Sequence, residues 1–212
     1  LEVKVSKVSS EKSVNNAERW ADYWVFGGIY RPVYLEALPK EHIEWTSIDA
    51  KANGSFDIKA HVRNIRSDRK INASIIDANG REIGSTMGKI RAGDSVVTLH
   101  AQVKNPKLWT AETPNLHKVV LKLTDGKKLI YETSDKFGFR SIEVRKGEGV
   151  FLNGTKIKLK GVNRHVFWPE YGRATYPKAD LLDIKLIKEM NMNAVRCSHY
   201  PPDQNFLRMC DS

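Results

Sequence analysis

Between residues 41 and 140 polar and apolar residues alternate. In HIEWTSIDAKA (42–52), SFDIKAHVRN (55–64), INASIIDANG (71–80), SVVTLHAQVK (95–104) and HKVVLKLTDG (117–126), apolar residues recur at every second position. That period lays one side of a β-strand against a core and leaves the other in water. Turn signals fall between these stretches at Asn53-Gly54, Asn79-Gly80 and Asp125-Gly126. With a further strand, KLIYETSDKFGFR (128–140), the named stretches are six, and the segment reads as about seven short strands in about 100 residues, which predicts an immunoglobulin-like β-sandwich. It is a sandwich without the inter-sheet disulfide, because Cys197 and Cys210 lie outside it. Two prolines flank Trp109 in NPKLWTAETPNLHK (105–118), where the tryptophan reads as a buried anchor for a long connection.

Before residue 41 the pattern is less regular. LEVKV (1–5) reads as a strand with no lead-in, and IYRPVYLEAL (29–38) alternates as a strand after a bend at Gly27-Gly28. Trp20, Tyr23, Trp24, Phe26 and Tyr30 are more aromatics than a mere connection needs, so this stretch is expected to pack on a partner domain or to be the remnant of one.

After residue 141 the spacing changes. EVRKGEGVFLNGTKIKLKGVNRH (143–165) predicts a hairpin turning at Asn153-Gly154, its second arm running through Ile157, Leu159 and Val162 into Asn163-Arg164-His165. A helix is predicted from about Lys178 to Met190. Ala179, Leu182, Leu186, Ile187 and Met190 form one apolar band, Lys185 and Lys188 lie opposite, and Asp183 interrupts the band. Ala194-Val195 then begin another strand. Strand, helix and strand make a β-α-β unit whose parallel strands end side by side. His165 follows the first strand, and Arg196 and His199 follow the second, so all three converge on the rim where α/β folds bind ligands.

Such groups are hydrogen-bond donors suited to hydroxyls or to developing negative charge. They do not break bonds by themselves. Ser198 beside His199 is not a catalytic pair, and Cys197 reads as an inert thiol. A structural alternative stays open, in which Arg196 pairs with a carboxylate inside the fold and the histidines cap loops.

Composition narrows the function classes. The chain has 212 residues, 41% hydrophobic and 28% charged, ordinary for a globular protein. Its net charge of +10 comes from 35 basic and 25 acidic residues, but the lysines are dispersed (Lys51, Lys59, Lys104, Lys122, Lys158, Lys160), so neither nucleic acid nor a membrane is an expected partner. No membrane-length apolar run or signal peptide is seen, and the compartment is not legible. The cysteines and histidines have no zinc-like spacing, so no metal and no cofactor is expected in this chain. Asn53, Asn72 and Asn153 head formal glycosylation sequons of no functional weight.

NAVRCSHYPPDQNFLRMCD (193–211) resembles the first signature of glycoside hydrolase family 2, the β-galactosidases, β-glucuronidases and β-mannosidases: Asn193, Arg196, Cys197-Ser198, His199-Tyr200-Pro201 and Asp211. GGIYRPVYL (27–35) is similar to the last strand of that family's jelly-roll sugar-binding domain, LWTAETPNLHKV (108–119) to its immunoglobulin-like domain, and FLNGTKIKLKGVNRHVFWPEYGR (151–173) to the entry of its catalytic barrel. Arg-Cys-Ser-His and Gly-Val-Asn-Arg-His look more like the β-galactosidase branch.

The resemblance implies a mainly β chain with three parts. These are 1–39 as the tail of the jelly roll, 40–141 as the immunoglobulin-like sandwich, and 142–212 as the first βα unit of a TIM barrel. It implies an internal fragment of a retaining exo-β-glycosidase acting on terminal β-galactosides, in a parent that a homo-oligomer would suit. His165 and His199 then hold sugar hydroxyls and Arg196 supports them, with Asn163 and Glu170 as secondary candidates. Retention needs two carboxylates about 5–5.5 Å apart. The family's acid/base is the Glu of an Asn-Glu pair, and no Asn here is followed by Glu. Both catalytic carboxylates are therefore expected beyond Ser212, and this chain is expected to be inactive alone. The contrasting expectation is a non-catalytic carbohydrate-binding or spacer sandwich.

Overall fold

The computed structural model describes residues 2–20 and 27–212; Tyr23, Trp24 and Phe26 lie outside them. The chain forms two compact units, Leu1–Leu35 with Leu159–Cys210, and Glu36–Lys158 with Asp211–Ser212.

The unit that begins at Glu36 holds the sandwich. Its strands are β1 (His42–Ala50), β2 (Ser55–Arg63), β3 (Arg69–Ile76), β4 (Glu82–Ile90), β5 (Val96–Gln102), β6 (His117–Asp125) and β7 (Lys128–Phe137). They form two antiparallel sheets in the orders β1-β2-β5 and β4-β3-β6-β7. The alternation behaves as expected: Phe56, Ile58, Ala60 and Val62 of β2 are buried, and face Ile71, Ala73 and Ile75 of β3 and Val119, Leu121 and Leu123 of β6 in one core. Phe137 and Phe139 complete it against Phe56, with ring centroids 5.0 and 6.5 Å away.

The strand that alternation did not single out is β4. Its inward positions are Gly84, Thr86, Gly88 and Ile90, and only Ile90 is buried and bulky. A Cβ on Gly88 would lie 2.5 Å from Leu99 Cδ2, and one on Gly84 would lie 3.0 Å from Val103 Cγ2. Side chains from and just after β5 thus fill the space that β4 leaves, and the hydrophobic signal of the fourth strand is carried by its neighbour. β4 hydrogen-bonds to β3, giving a three-plus-four division in which the fourth strand joins the sheet of the third, sixth and seventh.

Trp109 anchors the long connection, half-buried. Its backbone N–H donates to Phe139 O (2.9 Å), Asn153 Nδ2 donates to its carbonyl (3.0 Å), and the Arg140 guanidinium lies 4.7 Å from its ring centroid. A small sheet follows, β8 (Ile142–Arg145), β9 (Gly149–Leu152) and β10 (Thr155–Ile157), in the order β10-β9-β8. Asn153 (φ 51°) and Gly154 (φ 80°) form the expected turn between β9 and β10. The second arm is shorter than expected. β10 ends at Ile157, opposite Val150, because β9 begins only one residue earlier, at Gly149, and has little left to pair with residues 158–160.

Two strands expected before residue 41 are absent among the described residues. Residues 2–5 and 29–38 pair with no strand among the described residues, and Tyr34 and Leu35 are 77% and 96% exposed. Alternation alone does not make a strand when no neighbouring edge accepts its hydrogen bonds. A helix that the hydrophobic pattern did not predict, α1 (Lys12–Arg19), is capped by the Glu11 carboxylate accepting from Ser13 N. The unit of Leu1–Leu35 and Leu159–Cys210 holds this helix and continues with β11 (Gly161–Arg164), α2 (Pro177–Glu189), β12 (Ala194–Cys197) and α3 (Gln204–Asp211). No described helix is long and apolar enough to cross a membrane.

Candidate functional site

β11 and β12 are parallel, in the register Gly161–Ala194, Val162–Val195, Asn163–Arg196 and Arg164–Cys197. Asn193 sets where the pairing starts. Its side-chain oxygen accepts from Lys160 N (2.9 Å), while its own N–H and that of Ala194 donate to Lys160 O (2.9 and 3.1 Å). The strands then run so close that a Cβ on residue 161 would sit 2.2 Å from Ala194 O, which explains glycine there. Ser198 N donates to Arg164 O (2.9 Å), carrying the pairing one step past the assigned strands.

α2 crosses from one strand to the other, and its buried face differs from the apolar band. Ala179, Asp180 and Ile187 are buried, whereas Leu182, Leu186 and Met190 are 43–54% exposed. The reason is Arg164. Its side chain is buried against α2, where Nε donates to Asp183 Oδ2 (2.7 Å), Nη2 donates to Asp180 Oδ1, and the guanidinium lies 4.1 Å from the centroid of Phe206 on α3. Asp183, which interrupts the apolar band, is thus one half of the clamp that orients the helix. A buried cation holds its place only where carboxylates compensate its lost hydration, and two do so here.

Because Arg164 faces α2, its neighbours along each strand face the other way. Asn163 and Arg196, partners in register, project together from the side opposite α2, and both are exposed. Arg196 Nη1 reaches Ser198 Oγ at 3.5 Å and pairs with no carboxylate among the described residues. Arg164, one residue before His165, does pair with carboxylates.

His165 and His199 meet at the carboxyl ends of β11 and β12, their ring centroids 5.6 Å apart and nearly perpendicular. The peptide between Ser198 and His199 is cis. Tyr200 ties the two ends together: its hydroxyl accepts from Val166 N (2.7 Å), and its ring centroid is 6.1 Å from that of His165. The Arg173 guanidinium lies 4.5 Å from the Tyr200 ring and 5.0 Å from Tyr30, and Thr175 N donates to Tyr30 O (2.9 Å). Sequence spacing did not single out Tyr200 or Arg173 as part of this rim, nor Arg164 as the anchor behind it; Asp183 in an apolar band was the one sign of Arg164. Glu170 is exposed, between Trp168 and Gly172, which pair across a tight turn. Next to it, the Tyr171 hydroxyl is held above its usual range, chiefly by its hydrogen bond with Tyr176, whose ring stacks on its own at 4.4 Å.

The rim offers two imidazoles, a guanidinium and a carboxamide, which can donate to hydroxyl oxygens and to a developing negative charge. Among the described residues no three His, Cys, Asp or Glu side chains gather as a metal site would require.

The family model described as "Glycosyl hydrolases family 2" matches residues 41–140, and that described as "Glycosyl hydrolases family 2, TIM barrel domain" matches residues 142–212. A β-galactosidase from Priestia megaterium is 36% identical over 204 residues, covering 90% of this chain and 20% of its own length. A protein described as a putative β-glucuronidase of Formosa agariphila is 33% identical over 197 residues, covering 90% of this chain and 24% of its own. The crystal structure of Bacteroides uniformis β-glucuronidase superposes with a TM-score of 0.80 at 31% identity, over 90% of this chain and 25% of that one. The chain thus spans about a fifth to a quarter of the length of these relatives. With both family models matched end to end along it and the β-α-β unit where the barrel model lies, this chain belongs to glycosyl hydrolase family 2.

Proposed function

We propose that this chain is the part of a retaining exo-β-glycosidase that carries one wall of its sugar site, and that the parent hydrolyses terminal β-D-galactosides. The observation that carries the proposal is the meeting of His165 and His199 at the ends of two parallel strands, with Arg196 and Asn163 beside them on the face away from α2. These donors hold sugar hydroxyls and strengthen their hold as negative charge develops in the transition state. On this reading the two carboxylates that retention needs, acid/base and nucleophile, are supplied by the parent outside these 212 residues. Galactoside rather than glucuronide is favoured by the Gly-Val-Asn-Arg-His and Arg-Cys-Ser-His sequences, although relatives of both names are similar to the chain.

The test compares the 212-residue chain with the full-length protein on chromogenic β-galactoside and β-glucuronide. The chain alone is expected to turn over neither, and the full-length protein to turn over the galactoside. His199→Ala in that protein is expected to lower kcat by about 100-fold, with a smaller effect on KM. Unchanged kcat in the variant would remove the histidine from the transition state, and preference for the glucuronide would reassign the sugar.

A further inference from the structure

The outer face of the sheet β1-β2-β5 carries a feature that the rim does not need. β1 contains a bulge between Ile43 and Trp45: Ile43 lies opposite Val62, whereas Trp45 lies opposite His61, so Glu44 is an extra residue. Without it, Trp45 would share the inward phase of Ile43. With it, Thr46, Ile48 and Ala50 face the core and Trp45 faces solvent, 52% exposed. Bulges re-aim side chains in this way. The Trp45 indole lies flat against the His61 imidazole, with centroids 3.6 Å apart and planes 9° apart.

Register places Trp45, His61 and Val96 side by side across the three strands, and Ser47, Lys59 and Thr98 in the next outward row. That next row lies about 6.6–6.8 Å along the strands. The indole face turned away from His61, with a row of hydroxyl and ammonium groups about one pyranose ring along the strands, matches a sugar: its C–H face stacks and its hydroxyls meet the donors. Arg63 Nε donates to the Glu44 carboxylate (2.7 Å) and His100 is bonded to Asp57, so Lys59 is the cation that the next row presents to a ligand. One ammonium among paired charges favours a neutral ligand over a polyanion.

We propose that Trp45 and His61 form an accessory binding platform for a neutral β-linked oligosaccharide. The platform stands on the sandwich alone and does not use the rim residues His165, His199 and Arg196.

The test uses the 212-residue chain and β-1,4-linked galactotetraose, followed by backbone amide NMR shifts up to about 10 mM sugar, a level that reveals weak sites. The expected result is saturable shifts centred on residues 45, 47, 59, 61 and 98. In Trp45→Ala, binding falls by at least about tenfold; in Trp45→Tyr, which keeps an aromatic face and controls for folding, it falls by less. Absence of saturable shifts, or equal affinity in Trp45→Ala, would overturn the proposal. So would binding that is kept in Trp45→Ala and lost in His165→Ala/His199→Ala, because that result assigns the sugar to the rim.

Discussion

Replacing Arg164 by methionine tests whether one buried cation orients the β-α-β unit. The substitution keeps the length and most of the volume of the side chain, so any loss is not that of a cavity. It leaves Asp180 and Asp183 with no counter-charge, and Asp180 is the severe case: it is 3% exposed, and its Oδ2 already lacks a hydrogen-bond partner. The cluster carries a net charge of −1 with the arginine and −2 without it. Removing one partner of a buried pair costs about 3–5 kcal/mol. At about 1.4 kcal/mol per decade, that equals roughly two to four orders of magnitude in a local opening equilibrium. Amide hydrogen exchange reads it directly, through the protection of residues 161–164, 194–197 and the buried turn of α2. The triple variant Arg164→Met/Asp180→Leu/Asp183→Leu should recover most of the loss, since an apolar replacement for a whole buried ion cluster is often neutral. Exchange accelerated by less than about tenfold in Arg164→Met, or no recovery in the triple variant, would refute the view that uncompensated charge governs this packing.

Gly161→Ala places a Cβ 2.2 Å from Ala194 O, so β11 and β12 must separate. A loss of about 1–3 kcal/mol is expected in urea unfolding followed by exchange of the β12 amides. His117 is 5% exposed, lacks a partner at Nδ1 and packs against Phe137 and Phe139; burial holds its pKa below the usual value of 6.5. The neutral form is therefore favoured in the folded state. Its contribution is fully present above the unfolded value and is lost as pH falls through it toward the lower folded value. The urea midpoint of the sandwich should drop between about pH 7 and pH 5, and drop less in His117→Phe. Equal slopes in the two proteins would show that the histidine is not the group titrating.

The sandwich was legible because its signal is local. Period-two alternation in β2, β3 and β6 states which side of each strand is wet, and Asn-Gly or Asp-Gly pairs state where the chain reverses. The convergence of His165 and His199 was legible for a related reason: a β-α-β unit has few topological solutions, and parallel strands must end together. Other features depend on what lies alongside. Alternation in 29–38 needed a neighbouring edge and found none among the described residues, while β4 forms with glycines inward because Leu99 and Val103 fill their place. Whether Asp183 disrupts a helix face or anchors it depends on Arg164, nineteen residues earlier in the chain. A single inserted residue, Glu44, turns Trp45 from core to surface, and only the partner register across β2 reveals it. Residue type and period determined which elements exist and which chain ends meet. Which polar group is buried, which aromatic is exposed and which strand is real were decided by tertiary partners, because burial and pairing energies belong to contacts between distant residues and not to the residues alone.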